Sequence, residues 1–116
     1  MREIKFRAYN KYTKEMVYFD DLYWFEEQSI HKNEDEGWEL TQWTGQKDKK
    51  GNEIYEEDIL ILIEKKWICR WDNDYTKFYL KPLFHTIYEF NKQAVITENY
   101  TIIGNSFENL ELLNKD

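Results

Sequence analysis

The chain has 116 residues, of which 23 are acidic and 16 are basic, so its formal net charge is −7. This length suits one domain that spans residues 1–116, because two domains of half the size would each bury too little surface. The charge disfavours a nonspecific grip on nucleic-acid phosphates by the molecule as a whole, and the single cysteine excludes an intramolecular disulfide and a cysteine-rich zinc site.

The N-terminal segment predicts a β-hairpin. Ile4, Phe6 and Ala8 alternate with polar neighbours, which is the period of a half-buried strand. Residues 10–15 form a polar turn, and residues 16–19 supply the return strand.

Two stretches with opposite composition follow. Residues 22–25 are a dense aromatic cluster, for which core or a crossing strand is a better interpretation than a binding surface. Residues 26–37 hold five acids against one lysine, which predicts a mobile connection, or a short hairpin if Ile30 packs.

The central stretch combines turn signals with the longest aliphatic run. Gly45 and Gly51-Asn52 favour a surface turn over residues 45–52, after which Ile54-Tyr55 resumes a strand. Residues 59–63 are five aliphatic side chains, three of them β-branched, which indicates a strand buried on both faces in a barrel or a sandwich.

The last third predicts a second hairpin and a terminal helix. Residues 64–66 turn the chain, residues 66–81 form the hairpin with Trp67, Cys69 and Trp71 on one face, and Pro82 ends it or marks an edge. Residues 83–91 fit a helix or a strand, and residues 94–97 and 100–103 fit short strands. Asn105, followed three residues later by Glu108, predicts a helix that turns Phe107, Leu110 and Leu113 inward.

No pattern in the sequence predicts catalysis or a cofactor. His31 and His85 lack metal-ligand spacing, the serines lack a nucleophile elbow, and Cys69 is interpreted as a buried inert thiol. Three acidic clusters are consistent with a divalent cation or an acid and base pair, yet 23 acids produce such clusters by chance. These clusters are Asp20/Asp21, Asp72/Asp74 and Glu56/Glu57/Asp58.

A candidate binding surface combines basic and aromatic side chains, provided that the fold brings their turns together. Its members are Trp24, Trp43, Lys47, Lys49, Lys50, Lys65, Lys66 and Arg70, with Trp67 and Trp71 as further aromatics. Core positions are the better interpretation of the tryptophans. We also expect a cytoplasmic protein that does not enter the membrane, because no apolar leader follows Met1 and nowhere do 18 apolar residues run together.

Three blocks of the sequence resemble the YopX family of phage and prophage proteins. They are MREIKFRA at residues 1–8, TGQKDKKG with EIYE and DI at residues 44–59, and IGN, FEN and LL at residues 103–113. The resemblance implies an SH3-like barrel in the central part, an origin in phages and prophages of Gram-positive bacteria, and no catalytic residues that can be transferred. The family usually has glycine where this chain has Glu57, so Glu57 either adopts a left-handed conformation at a cost of roughly 1 kcal/mol or the turn differs.

Together these observations predict a mainly β domain with minor α content. A small SH3-like barrel would span residues 40–103, with an N-terminal hairpin packed on it and a short C-terminal helix. The expected function is a non-enzymatic phage or prophage accessory protein of the host bacterial cytoplasm that binds a host or phage protein. The first alternative is a module that binds single-stranded or structured nucleic acid, and the second is a carboxylate- or metal-dependent hydrolase.

Overall fold

A computed structural model describes residues 4–20, 37–84 and 93–113. These residues form two antiparallel four-stranded sheets. The mainly β prediction is therefore confirmed. The aromatic cluster at residues 22–25, the acidic stretch at residues 26–36, both histidines and residues 85–92 lie outside the described residues.

The first sheet has the strand order β2-β1-β3-β4. Its strands are β1 (Phe6–Asn10), β2 (Met16–Phe19), β3 (Trp38–Lys47) and β4 (Glu53–Tyr55). The predicted N-terminal hairpin is confirmed, but it does not pack on a separate barrel, because β1 also pairs with β3 along its whole length. The hairpin is thus part of the first sheet.

The second sheet has the strand order β7-β6-β5-β8. Its strands are β5 (Asp58–Leu62), β6 (Lys65–Asp72), β7 (Lys77–Pro82) and β8 (Thr101–Asn105). The predicted second hairpin is confirmed as β6 and β7, with Pro82 closing an edge strand. Because the strands form two sheets with their own edges, the SH3-like closure stays a prediction.

The principal core joins the second sheet to β4 and to the segment before β8. Its buried members are Ile54, Leu60, Trp67, Cys69, Leu80, Ile96 and Tyr100. Alternation places Trp67 and Cys69 in this core, whereas Trp71, two residues further on the same face, packs edge-on against Phe78 and is 40% exposed. The interpretation of the tryptophans as core side chains therefore holds for Trp67 and not for Trp71.

Two turns lie elsewhere than predicted. β3 continues through Lys47, because a bulge between Trp43 and Lys47 accommodates the positive φ of Gly45 inside the strand, so the turn begins at Asp48. The β5–β6 turn is Ile63-Glu64 rather than residues 64–66. Both residues have positive φ, and Leu62 pairs with Lys65 across them.

The C-terminal segment folds as a turn followed by a 3-10 helix, Leu110–Leu113, instead of an α-helix. The predicted cap is present: Asn105 Oδ1 accepts hydrogen bonds from the amides of Phe107 and Glu108. Leu110 and Leu113 are exposed, contrary to expectation, while Leu112 packs toward Gly104. No helix in the described part of the chain is long and apolar enough to cross a membrane.

Candidate functional site

A buried ion pair joins the two sheets. Arg7 Nη2 of β1 lies 2.8 Å from Asp58 Oδ1 of β5, and both side chains are at least 96% buried. Arg7 also donates to Thr41 Oγ1 and to the carbonyl of Glu56, and its guanidinium lies 4.9 Å from the ring centroid of Tyr55. Simple alternation predicts Arg7 on a polar outer face, but that face of β1 is covered by the second sheet.

The turn between β4 and β5 positions Asp58. Its Oδ2 accepts the amide of Tyr55 at 2.7 Å, which closes a tight turn through Glu56 and Glu57. Burial raises the pKa of the Asp58 carboxyl to about 6, even though Arg7 favours its charged form. Burial likewise raises the pKa of Tyr55 to about 12. A buried carboxyl with a raised pKa is a feature that active sites share with structural ion pairs.

An inter-sheet cleft of about 350 Å³ opens beside this pair. Its lining combines acids, amides and tyrosines: Arg7, Tyr18, Asn52, Glu53, Tyr55, Asp58, Ile102, Gly104 and Asn105. The charged groups are neutralised locally, because Arg7 pairs with Asp58 and Lys5 pairs with Glu53. The cleft therefore presents no unpaired charge from these four side chains.

The acidic triplet at residues 56–58 does not converge on one point. Asp58 binds Arg7, whereas Glu57 accepts the Ser106 hydroxyl at 2.8 Å and pairs with Arg70 at 3.2 Å. Burial raises the pKa of Glu56, and the neighbouring Glu57 charge adds to this effect. Among residues 4–20, 37–84 and 93–113, no group of three potential ligands could hold a metal ion.

The structure does not bring all members of the predicted basic and aromatic surface together. Trp24 lies outside the described residues. Trp43 is half-buried with the Lys5 ammonium 4.7 Å from its ring centroid. Arg70 forms an ion pair with Glu57. Lys66 lies on β6, opposite Ile61 of β5.

Some members of this surface do meet around Tyr100. Lys65 Nζ lies 4.8 Å from the Trp67 ring centroid, and Trp67 packs edge-on against Tyr100 at 6.2 Å. The turn that follows Lys47 and carries Lys49 and Lys50 reaches the same place, because the Lys49 amide donates to the Tyr100 carbonyl. However, Trp67 and Tyr100 are only 6% and 5% exposed, so their ring faces are not available for a base to stack on.

The Asp48 side chain stabilises this turn by accepting hydrogen bonds. Its buried carboxylate accepts the amides of Lys50 and Asn52 and reaches across to the amide of Ile102 in β8. Burial by itself would raise the pKa of Asp48, but these backbone hydrogen bonds outweigh it and the pKa is below its ordinary value. The lysines beside Asp48 are thus held on a rigid turn.

Cys69 is fully buried in the principal core, as predicted. Burial raises the pKa of its thiol, and the Asp58 charge adds to that effect. Such a thiol stays protonated at neutral pH.

A second cleft, here called the terminal cleft, has a volume of about 420 Å³. Its floor contains Tyr9 and Phe107, whose rings stack at 5.2 Å. One wall is the β1–β2 turn with Lys11 and Lys14, and the other is the segment from Ser106 to Glu111. The full lining is Tyr9, Lys11, Lys14, Glu39, Ser106, Phe107, Glu108, Leu110 and Glu111.

The two walls are built by the same device. Asn10 Oδ1 accepts the amides of Tyr12 and Thr13, and Asn105 Oδ1 accepts the amides of Phe107 and Glu108. Each asparagine is buried at the end of a strand, so the hydrogen bonds that its Oδ1 accepts fix the conformation of the turn that follows. Both walls are therefore held in place before anything binds.

Comparison with known proteins matches the YopX family model, "YopX protein", to residues 5–114. The chain belongs to the YopX family. Nothing matches it among the curated proteins. One solved structure, protein EF1440 from Enterococcus faecalis, is 23% identical, with a TM-score of 0.62 over 96% of this chain and 98% of that one. At this identity the likeness shows the fold alone.

The resemblance to the YopX family implies glycine at position 57, where this chain has Glu57. The Glu57 backbone itself adopts the left-handed conformation. Glu57 has φ +76°, so the first of the two alternatives is correct. Its amide donates to the Cys69 carbonyl and its own carbonyl accepts the Ser106 amide. The side chain that replaces glycine thus lies where it binds both Ser106 and Arg70.

The sequence interpretation did not identify the terminal cleft. Its charged residues come from the β1–β2 turn, β3 and the C-terminal segment of this YopX-family domain, which are far apart along the chain. One signal was available: Asn10 and Asn105 each end a strand pattern and precede a polar turn, which is typical of asparagine-capped turns. The signal locates two rigid turns but does not place them side by side.

Proposed function

We propose that this YopX-family chain is a non-enzymatic accessory protein, encoded by a phage or prophage, that binds a host or phage protein in the bacterial cytoplasm. The sequence resemblance supports the phage origin. A binding role is supported by the positions of the reactive groups, because Asp58, Glu57 and Ser106 are engaged in contacts that join the sheets.

One observation carries this proposal. The terminal cleft combines a stacked aromatic floor with Leu110, which is 63% exposed on its wall. Leu113 lies one 3-10 turn further, and side chains three residues apart in such a helix project to the same side. Aromatic side chains are enriched in the apolar centre of protein-binding surfaces, and the exposed leucines extend the apolar area beside Phe107.

Nucleic-acid binding has less support. Lys65 lies over Trp67, but the rings it approaches are buried, and a net charge of −7 opposes phosphate binding. A labelled-oligonucleotide titration at low salt separates the two functions. Binding that falls steeply with added salt would favour nucleic acid over protein.

The direct test is affinity capture from bacterial lysate with the tagged full-length chain and two single variants. Leu110→Lys places a charge in the terminal cleft, whereas Val95→Lys changes a side chain that is 76% exposed and does not line it. We expect the same partner to bind the parent chain and Val95→Lys, and to be lost with Leu110→Lys. Equal capture by all three proteins, or capture by none, would contradict the proposal.

A further inference from the structure

Five charged side chains of the terminal cleft do not neutralise one another. Lys11 and Lys14 stand on the wall formed by the β1–β2 turn, and Glu108 and Glu111 stand on the opposite wall, with Glu39 on β3. None of the five forms an ion pair with another described residue. The inter-sheet cleft differs, because its lining residues Arg7 and Asp58 pair with each other and its Glu53 pairs with Lys5.

The separation of these charges is maintained by backbone hydrogen bonds on one wall and by side-chain hydrogen bonds on the other. On one wall the Lys14 amide donates to Asn10 at 2.7 Å and the Lys11 amide donates to Gly37 at 2.9 Å. On the other, Asn105 Nδ2 donates to Glu108, and Asn105 in turn donates its amide to Asn109 Oδ1. Walls that are rigid before binding reduce the entropy lost when a ligand is held between them.

The floor between the charged walls is apolar. The half-buried ring of Phe107 lines this floor, Tyr9, which is 7% exposed, supports it by stacking, and the exposed Leu110 extends the surface at the rim. A volume of about 420 Å³ lies in the range of clefts that hold small ligands or one anchoring side chain with its neighbours. An occupant must therefore place an apolar group on the floor and opposite charges toward the two walls.

We propose that the terminal cleft binds an extended peptide segment of the partner protein, in which an apolar side chain is flanked by an acidic residue on one side and a basic residue on the other. The acidic residue faces Lys11 and Lys14. The basic residue faces Glu108 and Glu111, with Glu39 adding to the negative charge. This inference rests on the proposed function and specifies the chemistry of the partner.

The test is an array of heptapeptides with leucine or serine at the centre and every combination of acidic and basic flanks. The full-length chain is compared with Lys11→Glu/Lys14→Glu and with Glu108→Lys/Glu111→Lys, after circular dichroism has established that each is folded. Lys77→Glu/Lys81→Glu is the matched control, since both lysines are exposed on β7 and neither lines the cleft.

We expect the parent chain and the control to prefer leucine between flanks of opposite charge by roughly tenfold over leucine between like charges. The lysine-to-glutamate variant is expected to prefer two basic flanks, and the glutamate-to-lysine variant two acidic flanks. Failure to bind any peptide, binding that does not need the central leucine, or a preference that does not change with the walls would each overturn the inference. If lysate capture still depends on Leu110 in those cases, the proposed function stands and only the peptide chemistry is wrong.

Discussion

Arg7 and Asp58 illustrate why a buried ion pair depends on both of its members. Removing either charge from water costs several kcal/mol, and the pair offsets this cost only while both charges are present. Arg7 also satisfies Thr41 Oγ1 and the Glu56 carbonyl, so its loss leaves several buried polar groups without a donor.

Replacing one member of this pair is expected to destabilise the fold strongly. Arg7→Met should lower the free energy of unfolding by about 3–5 kcal/mol, because Asp58, Thr41 Oγ1 and the Glu56 carbonyl then lose their buried partner. The double variant Arg7→Met/Asp58→Leu should recover much of the loss. Urea denaturation measures both, with Arg70→Met as control, since Arg70 is 45% exposed and its pair with Glu57 contributes little. An effect of Arg7→Met no larger than that of the control would contradict the buried pair.

Asp58 also makes stability depend on pH. Its pKa of about 6 in the folded chain is above the unfolded value of about 3.9, so the folded state binds the proton more tightly. This contribution to stability is fully present below about pH 4 and is lost as the pH rises through 6. The free energy of unfolding of the parent chain, relative to Asp58→Asn, should therefore fall between pH 4 and 7. A difference that stays constant over this range would show that Asp58 does not titrate as described.

Glu57 combines backbone strain with two side-chain contacts. Glu57→Gly removes roughly 1 kcal/mol of left-handed strain together with the Ser106 hydrogen bond and the Arg70 pair, so the net change in stability should be small. Glu57→Ala keeps the strain and loses the contacts, and should cost about 1–2 kcal/mol. Thermal melts of the two variants give the comparison. If alanine is tolerated as well as glycine, the left-handed conformation at residue 57 carries no strain. If the alanine variant is as stable as the parent chain, the side-chain contacts contribute nothing.

Among the secondary-structure elements, the β5–β6 turn is the least suited to its sequence. Two-residue hairpin turns with positive φ at both positions favour asparagine and glycine. In the β5–β6 turn these two positions are occupied by Ile63, with φ 47°, and Glu64, with φ 65°. Ile63 is 90% exposed. A β-branched residue with positive φ is strained. Because the Ile63 side chain is exposed, no hydrophobic burial offsets this strain.

Replacing Ile63-Glu64 with Asn-Gly should stabilise the protein by about 1–2 kcal/mol, since both new residues adopt positive φ readily. The measurement is the urea midpoint of the double variant relative to the parent. The matched control is Asn73→Gly in the β6–β7 turn, where positive φ occurs at Thr76 instead. An unchanged or lower midpoint for the Asn-Gly variant would show that the turn conformation is not strained.

The whole molecule is held together by contacts that cross between the sheets. Besides the Arg7–Asp58 pair, Asp48 accepts the Ile102 amide, and the Lys49 amide donates to the Tyr100 carbonyl. Ile54 of the first sheet is a member of the principal core. Separating the two sheets would therefore expose Ile54 and break these contacts.

We expect the two sheets to unfold in one cooperative transition. Tryptophan fluorescence reports on side-chain packing around Trp43 of the first sheet and Trp67 of the second, among others, whereas far-ultraviolet circular dichroism reports on the backbone of both sheets. The two urea curves should coincide, with the same midpoint and slope. Separate midpoints would show that the sheets are independent units.

Several features of this YopX-family protein follow from the sequence alone. Alternation in residues 4–10, the apolar run at residues 59–62 and the turn residues after Asp72 predict strands and hairpins, because these signals act between near neighbours. The blocks at the start, middle and end of the chain predict the family, which the match over residues 5–114 confirms. The strained positive φ of Ile63 contradicts local preference and could not be read from the sequence.

What only the tertiary structure decided is which surfaces meet. Alternation shows that Arg7 and Tyr9 share a face of β1, but it cannot show that the second sheet covers this face and brings Asp58 to Arg7. The sequence predicts a polar turn over residues 10–15 and a cap at Asn105, but it cannot show that Lys11 and Glu108 line the same cleft. The physical reason is that local preference depends on neighbours along the chain, whereas the ion pair and the cleft depend on how two sheets pack together in space.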